Sequence, residues 1–248
     1  MAFDAQSYHK PILAEKCFQF LNVRQGGIYV DCTAGGGGHS ALILEKLSGK
    51  GKLLAFDKDD DAIRFCAKRF EGCGSVELIK SDFKNAARFL AEKGLKPDGI
   101  LMDLGISSHQ IDEKSRGFSY MSRDSALDMR MDRTQSLTAK EILNEYDERK
   151  IFEIVRDYGE EKFASKIAKN IVAFRTVQPI ETTGQLNDII DASIPLSVRK
   201  KGGHPAKQTF QALRIEVNGE LDGLGRAVED IARRLKTGGR ICVLTFHS

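Results

Sequence analysis

Between Gly27 and Asp57 the chain reads GIYVDCTAGGGGHSALILEKLSGKGKLLAFD, and no other segment narrows its possible folds as far. An apolar strand, Ile28–Val30, ends in an acid, Asp31. Four consecutive glycines, Gly35–Gly38, then precede an apolar helical run, Ala41–Leu47. A second strand, Lys52–Phe56, ends in a second acid, Asp57. Strand, glycine turn, helix, strand and acid make a nucleotide-binding βαβ unit. The glycines admit a ligand close to the backbone, and an acid about 20 residues on suits ribose hydroxyls.

Spacing and charge bear on which ligand this is. Dinucleotide sites space their glycines G-x-G-x-x-G and lay a pyrophosphate on the helix N-terminus. Here the glycines are contiguous, and Asp31 precedes them by four residues, close to where a pyrophosphate would lie. A carboxylate there repels phosphate and suits a cation. S-adenosylmethionine (SAM) carries a sulfonium and an ammonium and no phosphate, so the electrostatics favour SAM over NAD. A glycine loop acting only as a tight turn is the bland alternative.

Beyond Asp57 the pattern alternates. A helix is expected around Asp60–Phe70, a strand at Val76–Ile79, a helix over Ala86–Lys93 and an apolar strand at Gly99–Leu104 holding Asp103. Near-continuous apolar strands separated by helices predict a parallel sheet covered on both faces. From about Ser108 to Pro205 the signals are helical. Thr138 and Glu141 fit a capping box. Phe163, Ile167, Ile171 and Phe174 form an amphipathic stripe, and Gln185–Asp191 reads as a further helix. The α/β pattern returns with helices in Gln208–Val217 and Leu224–Leu235 and a strand over Arg240–Phe246. The expected fold class is α/β, a Rossmann-like sheet carrying an inserted all-helical domain.

A length of 248 residues suits that organisation, and a net charge of +3 confines any nucleic-acid contact to local patches. Five cysteines, none in a C-x-x-C pair, predict reduced thiols and a cytoplasmic location. No apolar run nears the roughly 18 residues of a membrane span. The histidines show no metal-ligand spacing, so no metal is expected.

Four places carry candidate chemistry. Asp57 either binds ribose or caps the helix that follows, where Asp59 and Asp60 are better placed. Ser81-Asp82-Phe83, after the third strand, either holds an adenine, with Phe83 over its ring, or is a surface turn. Asp103 ends the fourth strand, where open α/β sheets bind ligands. The run Asp103–Ser108 (DLGISS) resembles the Asp/Asn-Pro-Pro-Tyr loop of amino methyltransferases, with Leu104-Gly105 in place of the prolines. That resemblance implies an exocyclic base amine as methyl acceptor, a poor nucleophile because its lone pair is delocalised until an acceptor on its N–H groups localises it. Asp103 is the candidate catalytic acceptor, with capping of the next turn as the alternative. Arg199, Lys200, Lys201 and Lys207 put four fixed positive charges in one acid-free stretch, either an RNA contact or a solvated loop. By contrast, Leu127–Arg133 alternates charge signs and reads as a salt-bridged structural element.

Taken together, Asp31–Ser40 (DCTAGGGGHS), Asp103–Ser108 (DLGISS), Arg116–Asp132 (RGFSYMSRDSALDMRMD), His204–Leu221 (HPAKQTFQALRIEVNGEL) and Thr245–Ser248 (TFHS) closely resemble the bacterial 16S ribosomal RNA cytosine-N4 methyltransferases. The resemblance implies SAM as methyl donor and a cytidine of the decoding region as acceptor. By motif, Gly37, Gly38, His39, Asp57, Phe83, Asp103 and Gln110 are the implied cofactor-binding positions, so Asp103 serves the cofactor as well as the base. It implies a methyltransferase domain of residues 1–107 and 206–248, interrupted by a helical domain, 108–205, for RNA recognition. That family's chains continue past Ser248, so the last strands are expected to be missing, with Ile241–Phe246 an apolar edge prone to pair with another chain. Two other classes remain from the residues alone, an NAD-dependent oxidoreductase and a non-catalytic RNA-binding or assembly protein.

Overall fold

The computed structural model describes residues 11–199 and 203–245. In chain order α1 (Ala14–Leu21) leads into β1 (Ile28–Asp31), α2 (Gly38–Leu47), β2 (Lys52–Asp57), α3 (Asp60–Arg69), β3 (Val76–Lys80), α4 (Ala86–Glu92) and β4 (Gly99–Leu104). Helices follow: α5 (Ser108–Asp112), α6 (Ala139–Glu145), α7 (Glu148–Asp157), α8 (Ala164–Arg175), α9 (Thr183–Ser193), α10 (Leu196–Arg199) and α11 (Lys207–Asn218). The last elements are α12 (Leu224–Ala232) and β5 (Arg240–Thr245).

The five strands form one parallel sheet in the order β3-β2-β1-β4-β5. Strand residues alternate between two cores because side chains on a strand point to opposite faces in turn. Tyr29, Leu53, Ala55 and Leu101 share one core with Cys17 and Leu21 of α1 and Ile43 and Leu47 of α2. Val30, Leu54, Phe56, Ile100 and Met102 share the other with Leu90 of α4 and Ile231 of α12. Covering both faces is what makes these strands apolar throughout; each fully buried large side chain contributes about 1.5–3 kcal/mol. The strand order reverses between β1 and β4, which opens the crevice beyond their carboxyl ends. Asp31, Asp57 and Asp103 all lie at that end of the sheet.

β5 is an edge of this sheet, and an apolar groove of about 560 Å³ lined by Leu13, Cys17, Phe20, Cys242 and Val243 runs between it and α1. Phe246, the expected last residue of the strand, lies outside the described residues.

Packing divides the chain into two compact units. One comprises the described residues up to His109 together with those from Asp222 onward; the other is Gln110–Leu221. This division falls at residue 222, where the sequence places the return to the sheet at 206. Helix α11 packs on α6 and α7 through a buried face that includes Phe210, Leu213 and Val217, so it belongs to the helical unit.

Within the helical unit, Thr138 and Glu141 form the expected capping box of α6. α9 begins at Thr183, earlier than expected, because Thr182 and Gln185 make a second capping box. In the α8 stripe, Ile167 and Ile171 are buried, while Phe163 is the N-cap and only half-buried. The charged run is the expected structural element. Arg130 grips both Asp128 carboxylate oxygens at 2.8 Å. The wholly buried Arg116 donates to the carbonyls of Arg130 and Met131. Asn218 of α11 accepts from the Met131 N–H and donates to the Met129 carbonyl, both at 2.7 Å.

Candidate functional site

The glycine loop is shaped from beneath and from the side. Asp31 is wholly buried; its Oδ2 accepts from the Ser40 hydroxyl at 2.6 Å and its Oδ1 from the Thr33 N–H at 3.1 Å. Burial raises its pKa, against the pull of Ser40, His39 and Thr33. The expected carboxylate beside a cationic ligand is wholly buried and acts as a strut joining β1 to α2. Carbonyls of the loop turn toward α3: Arg69 donates to Gly36 at 2.6 Å and the Cys66 thiol to Gly35 at 3.4 Å. Burial pushes that thiol up to about 12, so it remains a donor at neutral pH.

Gly37 is required twice over. It caps α2 at φ +73°, and a Cβ there would lie 2.8 Å from the Phe70 ring. A Cβ on Gly38 would lie 3.3 Å from Pro11. Gly36 and Gly37 are buried and Gly35 and Gly38 half-buried, so the missing side chains let Phe70 and Pro11 pack closely on this turn.

Asp57 stands at the end of β2, half-buried, with each oxygen placed by one backbone donor. Gly35 N–H reaches Oδ2 and Asp59 N–H reaches Oδ1, both at 2.8 Å. Asp59, not Asp57, caps α3 by accepting from Asp61 N–H. Each Asp57 oxygen, with one backbone donor, can still accept a further hydrogen bond. Burial pushes this carboxyl up to about 6, although both backbone donors pull it down.

Asp103 sits near the end of β4, where its N–H donates to Thr33 Oγ1 at 2.7 Å. Its carboxylate lies 3.8 Å from Nδ1 of His39, whose Nε2 is 3.1 Å from the Ile12 carbonyl. That carbonyl can only accept, so Nε2 carries a proton and Nδ1 faces Asp103. Desolvation raises the Asp103 pKa, with His39 opposing and the buried Asp31 assisting.

After β3, Asp82 accepts from Lys84 N–H and lies 3.6 Å from Lys58 Nζ. It caps the short 3-10 turn Phe83–Asn85, whose first residue, Phe83, is half-buried. Gln110 is buried on α5, at the start of the helical unit. Arg199 ends α10 and pairs with Asp191 at 3.4 Å, so its charge is partly spent locally. Lys207 is exposed at the start of α11; Lys200 and Lys201 lie outside the described residues.

Sequence reasoning missed Thr33, Ser40, Cys66 and Arg69. The last two reach the loop from more than 30 residues away, through the packing of α3, so no spacing signals them.

The model of the MraW methylase family matches residues 6–248. A Symbiobacterium thermophilum protein named ribosomal RNA small subunit methyltransferase H is 51% identical over 97% of this chain and 76% of its own length. Proteins of the same name from Lachnospira eligens (49% identical, 100% of this chain, 79% of its own) and Clostridium botulinum strain Kyoto (51%, 97% and 77%) agree. The chain belongs to the MraW methylase family. As a MraW methylase it is a SAM-dependent methyltransferase with the Rossmann-like sheet of that class, and the NAD reading falls away. The residues present are compatible with the donor: a glycine turn at the end of β1 and half-buried carboxyls, Asp57 and Asp103, at the ends of the neighbouring strands. Among the described residues no helix is long and apolar enough to cross a membrane.

Proposed function

We propose that this chain methylates the exocyclic N4 of a cytidine in the decoding region of 16S ribosomal RNA. Its nearest support is the name borne by relatives about half identical over nearly the whole chain. The geometric observation that carries it is Asp103, a half-buried carboxyl at the switch-point end of β4, anchored by Thr33 and faced by His39.

SAM supplies an electrophilic methyl group on a sulfonium. The chain's own residues have to make a weak amine attack it. In this reading Gly37, Gly38 and His39 seat the donor, Asp57 takes its ribose hydroxyls, Phe83 covers its adenine, and Gln110 contributes from α5. Asp103 accepts a hydrogen bond from the N4 amine as the new N–C bond forms, localising the nitrogen lone pair. The S–CH3 bond of the sulfonium would break as N–C forms, a neutral thioether would leave, and the methylated amine would give up one proton to the Asp103 carboxylate. The helical unit, 110–221, recognises RNA, with Arg199, Lys200, Lys201 and Lys207 toward phosphates. The target base is unpaired, since an exocyclic amine inside a helix is engaged in pairing. Transfer of label from methyl-labelled SAM to small-subunit RNA, and its loss in Asp103→Ala at saturating SAM, tests the assignment.

A further inference from the structure

The helical unit carries one aromatic arrangement that neither its core nor the methyl-transfer reading uses. Tyr120 stacks on His204 with ring centroids 4.5 Å apart and planes 27° from parallel. Behind it, Phe210 meets Tyr120 edge-on at 6.0 Å. Phe210 is buried and Tyr120 half-buried, whereas His204 is exposed. The three rings thus run from the core to solvent and end in an imidazole.

The stack is held rigidly. Asn187, itself buried, donates to the Tyr120 carbonyl at 2.8 Å. His204 Nδ1 accepts from Ala206 N–H at 3.2 Å, and its carbonyl accepts from Lys207 N–H at 3.1 Å. The bond to Nδ1 and the stacked Tyr120 ring orient the imidazole before any partner arrives, which lowers the side-chain entropy to be lost on binding. Lys207, exposed three residues on, supplies a positive charge within the same turn.

An exposed, stacked ring three residues from an exposed lysine suits a nucleobase with its attached phosphate. Stacking on such platforms tolerates any base, because every base presents a π-face, while the cation meets the backbone. A purely structural role, clamping the segment around His204 onto the unit, needs only apolar bulk at position 204 and no exposed face.

We propose that the Tyr120–His204 stack is a docking platform for an unpaired RNA base, with Lys207 against the neighbouring phosphate. This rests on the RNA substrate proposed above and adds a contact that holds the strand through a base other than the one methylated.

The chain has no tryptophan, so His204→Trp places a single fluorophore on the platform. Titration with a short unpaired oligoribonucleotide is expected to quench it saturably, and a hairpin duplex of equal length far less. His204→Ala and His204→Leu are each expected to weaken binding of the unpaired strand by about 5- to 150-fold, with His204→Phe restoring it. Lys207→Ala is expected to lower the slope of log affinity on log salt by about one. Absence of quenching, or a leucine variant that binds as tightly as the native chain, overturns the platform; should the alanine variant fail to fold, the tryptophan titration decides. Full methyl transfer with unaltered oligonucleotide binding in these variants sinks the platform alone. Stacking without any methyl transfer by the native chain sinks the proposed activity alone.

Discussion

Gly35 donates its backbone N–H to Asp57 Oδ2 at 2.8 Å, bonding the glycine loop to the acid that ends the adjacent strand. Loop and acid are 22 residues apart in sequence, yet each fixes the other. This bond couples the position of the glycine loop to that of the carboxylate, the two parts proposed above to hold the cofactor.

The first prediction concerns that carboxylate. A hydrogen bond to a charged group contributes about 1.5–3 kcal/mol, so Asp57→Ala should weaken SAM binding by about 10- to 150-fold. Calorimetry reads this directly; unchanged SAM affinity would remove Asp57 from the site.

The same carboxyl sets a pH dependence. Its folded pKa of about 6 lies above the ordinary 3.8, so the folded state keeps a proton that the unfolded chain releases. The stability this group contributes is present at low pH and declines as pH rises from about 4 to about 6, then levels off. SAM binding runs the other way, since the ribose needs the ionised form: affinity should be flat above about pH 6 and fall below it. Asp57→Asn should flatten the affinity profile across that window. A wild-type profile without a break near pH 6 contradicts the assignment.

Asp103→Ala should lower turnover by about 10²- to 10⁴-fold, the usual contribution of a positioned acid or base. Because Asp103 is also proposed to bind the cofactor, the measurement belongs at saturating SAM. A loss confined to KM for SAM would leave the residue a binding role only.

Gly37→Ala puts a Cβ 2.8 Å from the Phe70 ring on a backbone at φ +73°. Left-handed strain and overpacking together should cost about 2–5 kcal/mol. Thermal melts check the size, and Phe70→Leu should recover part of it in a double-mutant cycle. Additive effects would mean that the ring is not what glycine avoids.

Much of this was legible in the chain because strand burial writes itself as apolar runs. Gly99–Leu104 is the observed β4, and Thr138–Glu141 caps α6 as its spacing requires. What was illegible depends on tertiary partners. Asp31 reads as a free acid beside glycines, and only the fold brings Ser40 Oγ to 2.6 Å and buries it. Arg199 reads as an open cation until α9 brings Asp191 to 3.4 Å. The helix Lys207–Asn218 looks like the return of the α/β pattern, yet its apolar face seats on α6 and α7. Amphipathic periodicity says that a face is buried and not what buries it.

Asn218 tests that last packing. It bridges Met129 and Met131 from α11, and Asn218→Ala leaves a buried N–H and a buried carbonyl short of partners. The expected loss is about 2–5 kcal/mol, read by denaturant unfolding. A loss below about 0.5 kcal/mol, the size of a neutral surface change, would mean that α11 is not tied to this segment.

The central claim is the identity of the methylated atom. Incubating the chain with methyl-labelled SAM and small-subunit ribosomal RNA, digesting to nucleosides and separating them by mass spectrometry identifies it. The account predicts label in N4-methylcytidine and its loss in Asp103→Ala. Label on C5 of cytosine, on an adenine amine or on a ribose would contradict it.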